Sequence, residues 1–248
     1  MRVKPKEILR SIIRLLGFDL HRISTSTNSN FQLLKSLERF SVDFVFDIGA
    51  NTGQFALELR SVGFKGRIVS FEPLPDAYQK LALVATRDPR WDVCQSAIGD
   101  VDGEAEINIA GNSVSSSILP MLAAHSRAAA NSAYVGKVKV PVARLDSIIN
   151  EYLAGSEKYF LKIDTQGFEW QVLDGACEAL ANAQGVLCEL SLLPLYEGQH
   201  LWLEIMERLK RAGFCLWAIQ TGFTDPHTGR TLQVDAIFFR VADTAAAI

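Results

Sequence analysis

Residues 42–55, VDFVFDIGANTGQF, constrain this chain more than any other stretch. An apolar run ends in a carboxylate, Asp47. A tight turn holding Gly49 and Gly53 then opens an amphipathic segment, which reads as strand, loop and helix. That order begins a nucleotide-type α/β domain. The two glycines lie four apart in G-A-N-T-G, whereas the dinucleotide fingerprint G-x-G-x-x-G needs its second glycine to clear space for a pyrophosphate. A nicotinamide-dependent oxidoreductase is disfavoured on that ground.

Asp47, at the carboxyl end of its strand, places a negative charge where phosphates would be repelled. A cationic ligand such as the ammonium and sulfonium of S-adenosylmethionine would be attracted there. A second short apolar run, residues 67–71, is followed by Glu72, set to accept hydrogen bonds from both hydroxyls of a ribose. Glu72 lies 25 residues beyond Asp47, about one strand-helix-strand unit. The competing reading makes both acids helix caps, with residues 73–75 as a helix entry. Ligand binding is the stronger of the two, and a methyl donor is the expected cofactor.

Residues 47–55 (DIGANTGQF), 71–73 (FEP), 97–106 (AIGDVDGEAE), 161–169 (LKIDTQGFE) and 187–198 (LCELSLLPLYEG) follow one another in an order and spacing that resembles the FkbM-type methyltransferase family. The serines at 115–117 and LDSII at 145–149 belong to the same pattern. The resemblance runs over roughly residues 43–240. It implies a Rossmann-like class I α/β fold with a seven-stranded mixed sheet whose seventh strand is antiparallel. It also implies S-adenosylmethionine as cofactor and transfer of its methyl to hydroxyls of sugars or polyketides. The donor-binding set is then Asp47, Gly49, Asn51, Gly53, Glu72, Ala97 and Ile98.

At 248 residues the chain suits one sizeable α/β core, expected over residues 42–243 with an insertion at about 104–143. A net charge of −3 gives no electrostatic footprint for nucleic acid. Cys94, Cys177, Cys188 and Cys215 form no C-x-x-C pair and are expected to be reduced core residues, which points to the cytoplasm.

Residues 1–41 are expected to form a helical extension. Its first 22 residues carry six Lys/Arg against Glu7 and Asp19, with Ile8, Leu9, Ile12, Ile13, Leu15 and Leu16 at helical spacing. The arginines rule out a membrane span, and neither an uninterrupted apolar region nor a cleavage site marks a signal peptide. Two readings stay open for this segment. It packs on the protein or on a dimer partner, or it lies peripherally on the inner face of an anionic membrane.

Helices are expected at 31–40, 55–62, 76–86, 145–153, 168–180 and 201–212. Strands of the main sheet are expected at 67–71, 91–97, 158–163, 185–188, 214–219 and 234–240, besides the opening one. Residues 104–109 and 137–142 read as a strand pair carrying a long insertion over the cofactor end of the sheet. Ser115, Ser116 and Ser117 within it read either as a polar loop or as site residues.

Methyl transfer from a sulfonium is an in-line displacement, and a sugar hydroxyl needs help to lose its proton. The candidates are Asp164 and Glu189, both at strand ends, and His200 just beyond the fifth strand. Glu169 reads as a helix cap, His125 lies in the insertion, and His21 and His227 read as surface residues. No Asp-Asp or Asp-Asn pair marks a metal site, so no metal is expected. The acceptor is expected to be a sugar hydroxyl, on a glycolipid or other glycoconjugate. A polyketide-type small molecule is the alternative substrate, and a non-catalytic scaffold of the same fold is the alternative function.

Overall fold

All five residues of β1 (Phe44–Ile48) are buried, as in a strand covered on both faces. The computed structural model describes residues 11, 13–18 and 20–241. β1 pairs in parallel with β2 (Arg67–Phe71) on one side and with β7 (Tyr159–Ile163) on the other. Beyond them lie β3 (Trp91–Cys94), β8 (Gly185–Ser191), β9 (Cys215–Thr221) and β10 (Gln233–Phe239). The order is β3-β2-β1-β7-β8-β10-β9, with β10 antiparallel to both neighbours. This is the expected seven-stranded class I sheet.

Alternation sorts the core into two layers. Phe44, Phe46 and Ile48 of β1 face one way with Leu161 and Ile163 of β7, and pack against α5 (Leu145–Ile148), α6 (Glu169–Asp174), α7 (Cys177–Asn182) and α8 (Trp202–Arg211). Val45, Phe160, Leu187 and Ile237 face the other way, under α1 (Ser29–Arg39), α2 (Gln54–Ser61) and α3 (Pro75–Ala85). Asn28 caps α1 by accepting the Phe31 N–H at 2.7 Å, and Leu33, Leu34 and Leu37 of α1 belong to the same core layer as Val45.

Several elements differ from expectation. The third strand stops at Cys94, and Ala97–Ile98, β4, pairs instead with β6 (Tyr134–Ala143). With β5 (Gly103–Ala110) these make a three-stranded sheet in the order β4-β6-β5, which carries the insertion and its short helix α4 (Ala123–Ala128). The helix expected over 168–180 breaks between α6 and α7 because the Gly175 carbonyl turns to accept the Asp146 N–H (3.0 Å). The Asp146 carboxylate in turn accepts the Ala179 N–H (2.9 Å) and starts α7. All four cysteines are free, but Cys177 and Cys215 are exposed and Cys94 is half-buried, so the core expectation holds for Cys188 alone. The basic segment at 1–22 lies mostly outside the described residues. Among the described residues no helix is long and apolar enough to cross a membrane.

Candidate active site

The carboxyl ends of β1, β2 and β7 and the amino end of the antiparallel β10 surround a cavity of about 370 Å³, at the edge where open α/β sheets bind ligands. The loop after β1 forms its base. Gly49 has φ +80°, and its N–H donates to the Phe71 carbonyl (3.1 Å). Asn51, also at positive φ, donates its N–H to Glu72 Oε2 (2.8 Å). Glu72 Oε1 accepts the Leu74 N–H (2.8 Å). One buried carboxylate thus clamps the β1 loop to the entry of α3.

Glu72 fits the ribose role. Each oxygen accepts one backbone N–H and keeps acceptor capacity, and the residue lines the cavity beside Pro73, Leu74, Ala97 and Ile98. Burial raises its pKa to about 7 against the pull of those backbone hydrogen bonds. Ionising Glu72 therefore costs the folded state. A stabilising contribution present below pH 4.5 fades as the pH rises towards 7. A diol that donates to the carboxylate favours its ionised form, so donor affinity is expected to rise with pH, by up to about tenfold per unit below that pKa. Calorimetry between pH 6 and 8 checks this. Glu72→Gln should flatten the profile, and Glu72→Ala should weaken binding by about 1.5–3 kcal/mol.

The structure corrects the role expected of Asp47. On β1 its side chain shares a face with Val45, and it is fully buried beneath the loop, away from the cavity walls. Register places Ser70 on one side and Lys162 on the other. Trp91 Nε1 donates to Ser70 Oγ (3.0 Å), and Ser70 Oγ donates to Asp47 Oδ2 (2.9 Å). Asp47 Oδ1 is ion-paired with Lys162 Nζ at 3.1 Å. Lys162 Nζ also donates to the Gly49 carbonyl (2.8 Å) and lies 3.5 Å from Asp164 Oδ2. Burial would lower the Lys162 pKa, but Asp47 and Asp164 outweigh it and hold the ammonium above the ordinary lysine range. The carboxylates that line the cavity on the donor side are instead Asp164 and Glu72.

Gly53 is likewise absent from the cavity walls. It sits at φ +91° before α2, and a Cβ there would come within 2.8 Å of the Trp91 ring, so close packing is what requires glycine.

Asp164 lines the cavity, with Oδ1 accepting Gln166 Nε2 (2.9 Å). Glu189 does not. Its Oε2 accepts Gln166 Nε2 (3.0 Å) and Gln233 Nε2 (2.7 Å), and burial, then the charges of Asp164 and Glu169, push its pKa well up. It anchors Gln166 from behind. His200 is also displaced from the cleft: its ring stacks on Trp170 at 3.9 Å, and Nδ1 pairs with Glu204 Oε1 at 3.0 Å near the start of α8. His125 is buried against Tyr196 and Phe223, and burial lowers its pKa. Glu169 caps the Asp164 loop, accepting the Thr165 and Gly167 N–H groups at 2.9 and 3.1 Å.

Gln166 and Tyr196 escaped the sequence reading. Gln166, at φ 54°, bonds Asp164 and Glu189 through its amide nitrogen, and its Oε1 accepts the Tyr196 hydroxyl (2.9 Å). Its backbone carbonyl accepts Ser117 Oγ (2.7 Å), while the Ser115 carbonyl, 3.2 Å from the Tyr196 hydroxyl oxygen, shares that hydroxyl's one proton with Gln166 Oε1. Asn51 Nδ2 donates to Ser113 Oγ (3.2 Å). The serine cluster thus fastens the insertion over the cavity, with Ser116 and Ser117 on its wall. Among the described residues no group of three or more His, Cys, Asp or Glu is placed to hold a metal ion.

Comparison with known proteins adds the family. No curated protein matches the sequence. Among solved structures, the chain is similar to a putative RNA methyltransferase from Pyrococcus horikoshii (14% identity over 90% of this chain and 88% of that one, TM-score 0.46). It is similar also to an rRNA methylase from Streptococcus thermophilus (8%, 90% and 100%, 0.48). A third is Aeropyrum pernix fibrillarin in complex with S-adenosyl-L-methionine (10%, 79% and 66%, 0.46). The sequence profile of the methyltransferase FkbM domain matches residues 47–216, from Asp47 in β1 to the start of β9. The chain therefore belongs to the FkbM methyltransferase family, and its methyl donor is S-adenosylmethionine.

Proposed function

We propose that the protein is an O-methyltransferase that acts on a sugar hydroxyl. The supporting observation is the polar wall of the cavity beyond Asp164, formed by Ser29, Asn30, Gln220, Thr221 and Asp235. Strand order sets out a row. Glu72 follows β2, Gly49 follows β1, Asp164 follows β7 and Asp235 lies on β10. Four inter-strand steps of about 4.8 Å separate the ends, roughly 19 Å, which is room for a donor and an acceptor side by side. Hydroxyl, amide and carboxylate groups suit a polyol, whereas a polyketide chain calls for a mainly apolar wall. Asp164 stands between the two ends and places negative charge beside the donor's reactive centre. When bound, the donor supplies an electrophilic methyl carbon. The protein orients the acceptor oxygen towards it and excludes water.

The acceptor's setting is read from the chain before α1. Leu15, Leu16, Phe18, Leu20 and Ile23 are exposed, Leu15 at 87%, within a sequence segment of six Lys/Arg against two acids. An apolar strip with basic neighbours suits an anionic bilayer surface, each basic residue adding about 1 kcal/mol. The strip leads within a few residues to Ser29 and Asn30 on the cavity wall, so a glycolipid headgroup is the favoured acceptor.

A mass-spectrometric search for a 14 Da gain tests this, that increment being about the mass of the methylene unit which methylation adds. The donor is supplied with soluble methyl glycosides, or with glycolipids in anionic vesicles. Transfer to the vesicle-borne glycans, weakened by high salt, is expected. Transfer to soluble glycosides with no vesicle binding at low salt would remove the membrane reading and leave the sugar reading in place.

A further inference from the structure

Because β10 runs antiparallel, its first residues lie at the carboxyl ends of the parallel strands. Asp235 thereby faces Glu189 across one register and Gln220 across the other. It lines the same cavity as Asp164. The carboxylates around it are occupied: Asp164 is held by Gln166 and Lys162, and Glu189 by Gln166 and Gln233. Among the described residues the Asp235 carboxylate accepts no hydrogen bond, and it is largely buried near the charges of Asp164 and Lys162. The neighbouring wall is held in place by Gln220 Nε2, which donates to the Ser29 carbonyl (2.9 Å), and by Asn30 Nδ2, which donates to Glu58 Oε2 (2.9 Å).

Building on the assignment of a sugar hydroxyl as acceptor, we propose that Asp235 is the catalytic base, a role that nothing in the sequence pattern assigned to it. The acceptor oxygen forms its bond to the methyl carbon as the methyl–sulfur bond breaks and its electron pair returns to sulfur. The hydroxyl proton passes to the Asp235 carboxylate and from there to water. The products are a methyl ether and the neutral thioether.

The surroundings suit this chemistry. Burial, then the charge of Asp164, raises the Asp235 pKa to about 6, with Lys162 opposing. On β8, Glu189 lies directly across the register from Asp235, whose charge is among those that raise its pKa, whereas Cys188 points to the opposite face, into the core. A carboxylate with that pKa is mostly ionised at neutral pH and is a stronger base than an ordinary aspartate. Asp164, already bonded on both oxygens, is left to hold charge beside the donor.

The test uses the full chain, its donor and whichever methyl glycoside or vesicle-borne glycolipid accepts a methyl from the wild type. Turnover of Asp235→Asn is expected to fall by about 100-fold or more, with donor affinity by calorimetry unchanged. The acidic limb of the wild-type kcat profile, near pH 6, should vanish, and Asp235→Glu should restore part of the rate. Asp235→Asn turnover within about threefold of wild type, or a profile that keeps its acidic limb, would overturn the assignment. So would a loss of donor affinity that matches the loss of rate. A wild type that binds donor yet methylates no carbohydrate would overturn the sugar reading and this assignment together, and it is distinguished by the failure lying in the unmutated protein.

Discussion

Lys162→Met is expected to destabilise the protein by about 3–5 kcal/mol, the cost of leaving a buried charge without its partner. Asp47 is fully buried, its Oδ1 has Lys162 as its partner, and the ammonium also ties the Gly49 carbonyl. Against a typical total of about 5–15 kcal/mol, that is roughly a fifth of the stability or more. Removing both charges should cost much less, because a buried ion pair replaced by apolar groups is often close to neutral. Asp47→Leu/Lys162→Met is therefore expected to recover most of the loss in urea denaturation. A single variant within about 1 kcal/mol of wild type would show that Asp47 finds other compensation.

Gly49→Ala should have the second large effect, and it falls on donor binding. A left-handed φ costs an alanine about 1–2 kcal/mol, and the added Cβ would lie 1.8 Å from the Asp164 carbonyl oxygen. Backbone cannot give way as a flexible side chain can. The ends of β1 and β7 must separate, breaking the bond from Asp164 N to Ile48 O between them. Since these ends carry the donor loop and Asp164, donor affinity should fall by at least about tenfold, roughly 1.4 kcal/mol. Calorimetry showing wild-type affinity would mean that the donor does not rest on this junction.

Residues 67–71 were read as a strand with the bounds the structure gives, because apolar runs and turn residues are local signals. The seven-stranded order was legible through the resemblance. Asp47 was misread because a carboxylate at a strand end has two faces to choose from, and the face depends on parity relative to a neighbour's register. Only the pairing of Asp47 with Ser70 and Lys162 settles it. Lys162 left a faint signal, a lysine inside the apolar YFLKI run. Asp235 left the same one in VDAIFF, and the reasoning applied to Asp164, that a cleft carboxylate is costly without a task, would have reached it. His200 was judged by distance along the chain from the fifth strand, whereas the Trp170 ring that holds it comes from α6. Gln166 and Tyr196 lie inside the LKIDTQGFE and LCELSLLPLYEG runs, but their joint role is set by contacts that span up to 81 residues.

The most direct test of the account locates the transferred group. Wild-type protein is given methyl-labelled S-adenosylmethionine and vesicle-borne glycolipid, and the product is fragmented to find the labelled atom. The account predicts a methyl ether on a sugar oxygen, formed at a rate that rises through pH 6. Label on nitrogen, on carbon or on RNA, with the glycan unchanged, would contradict it.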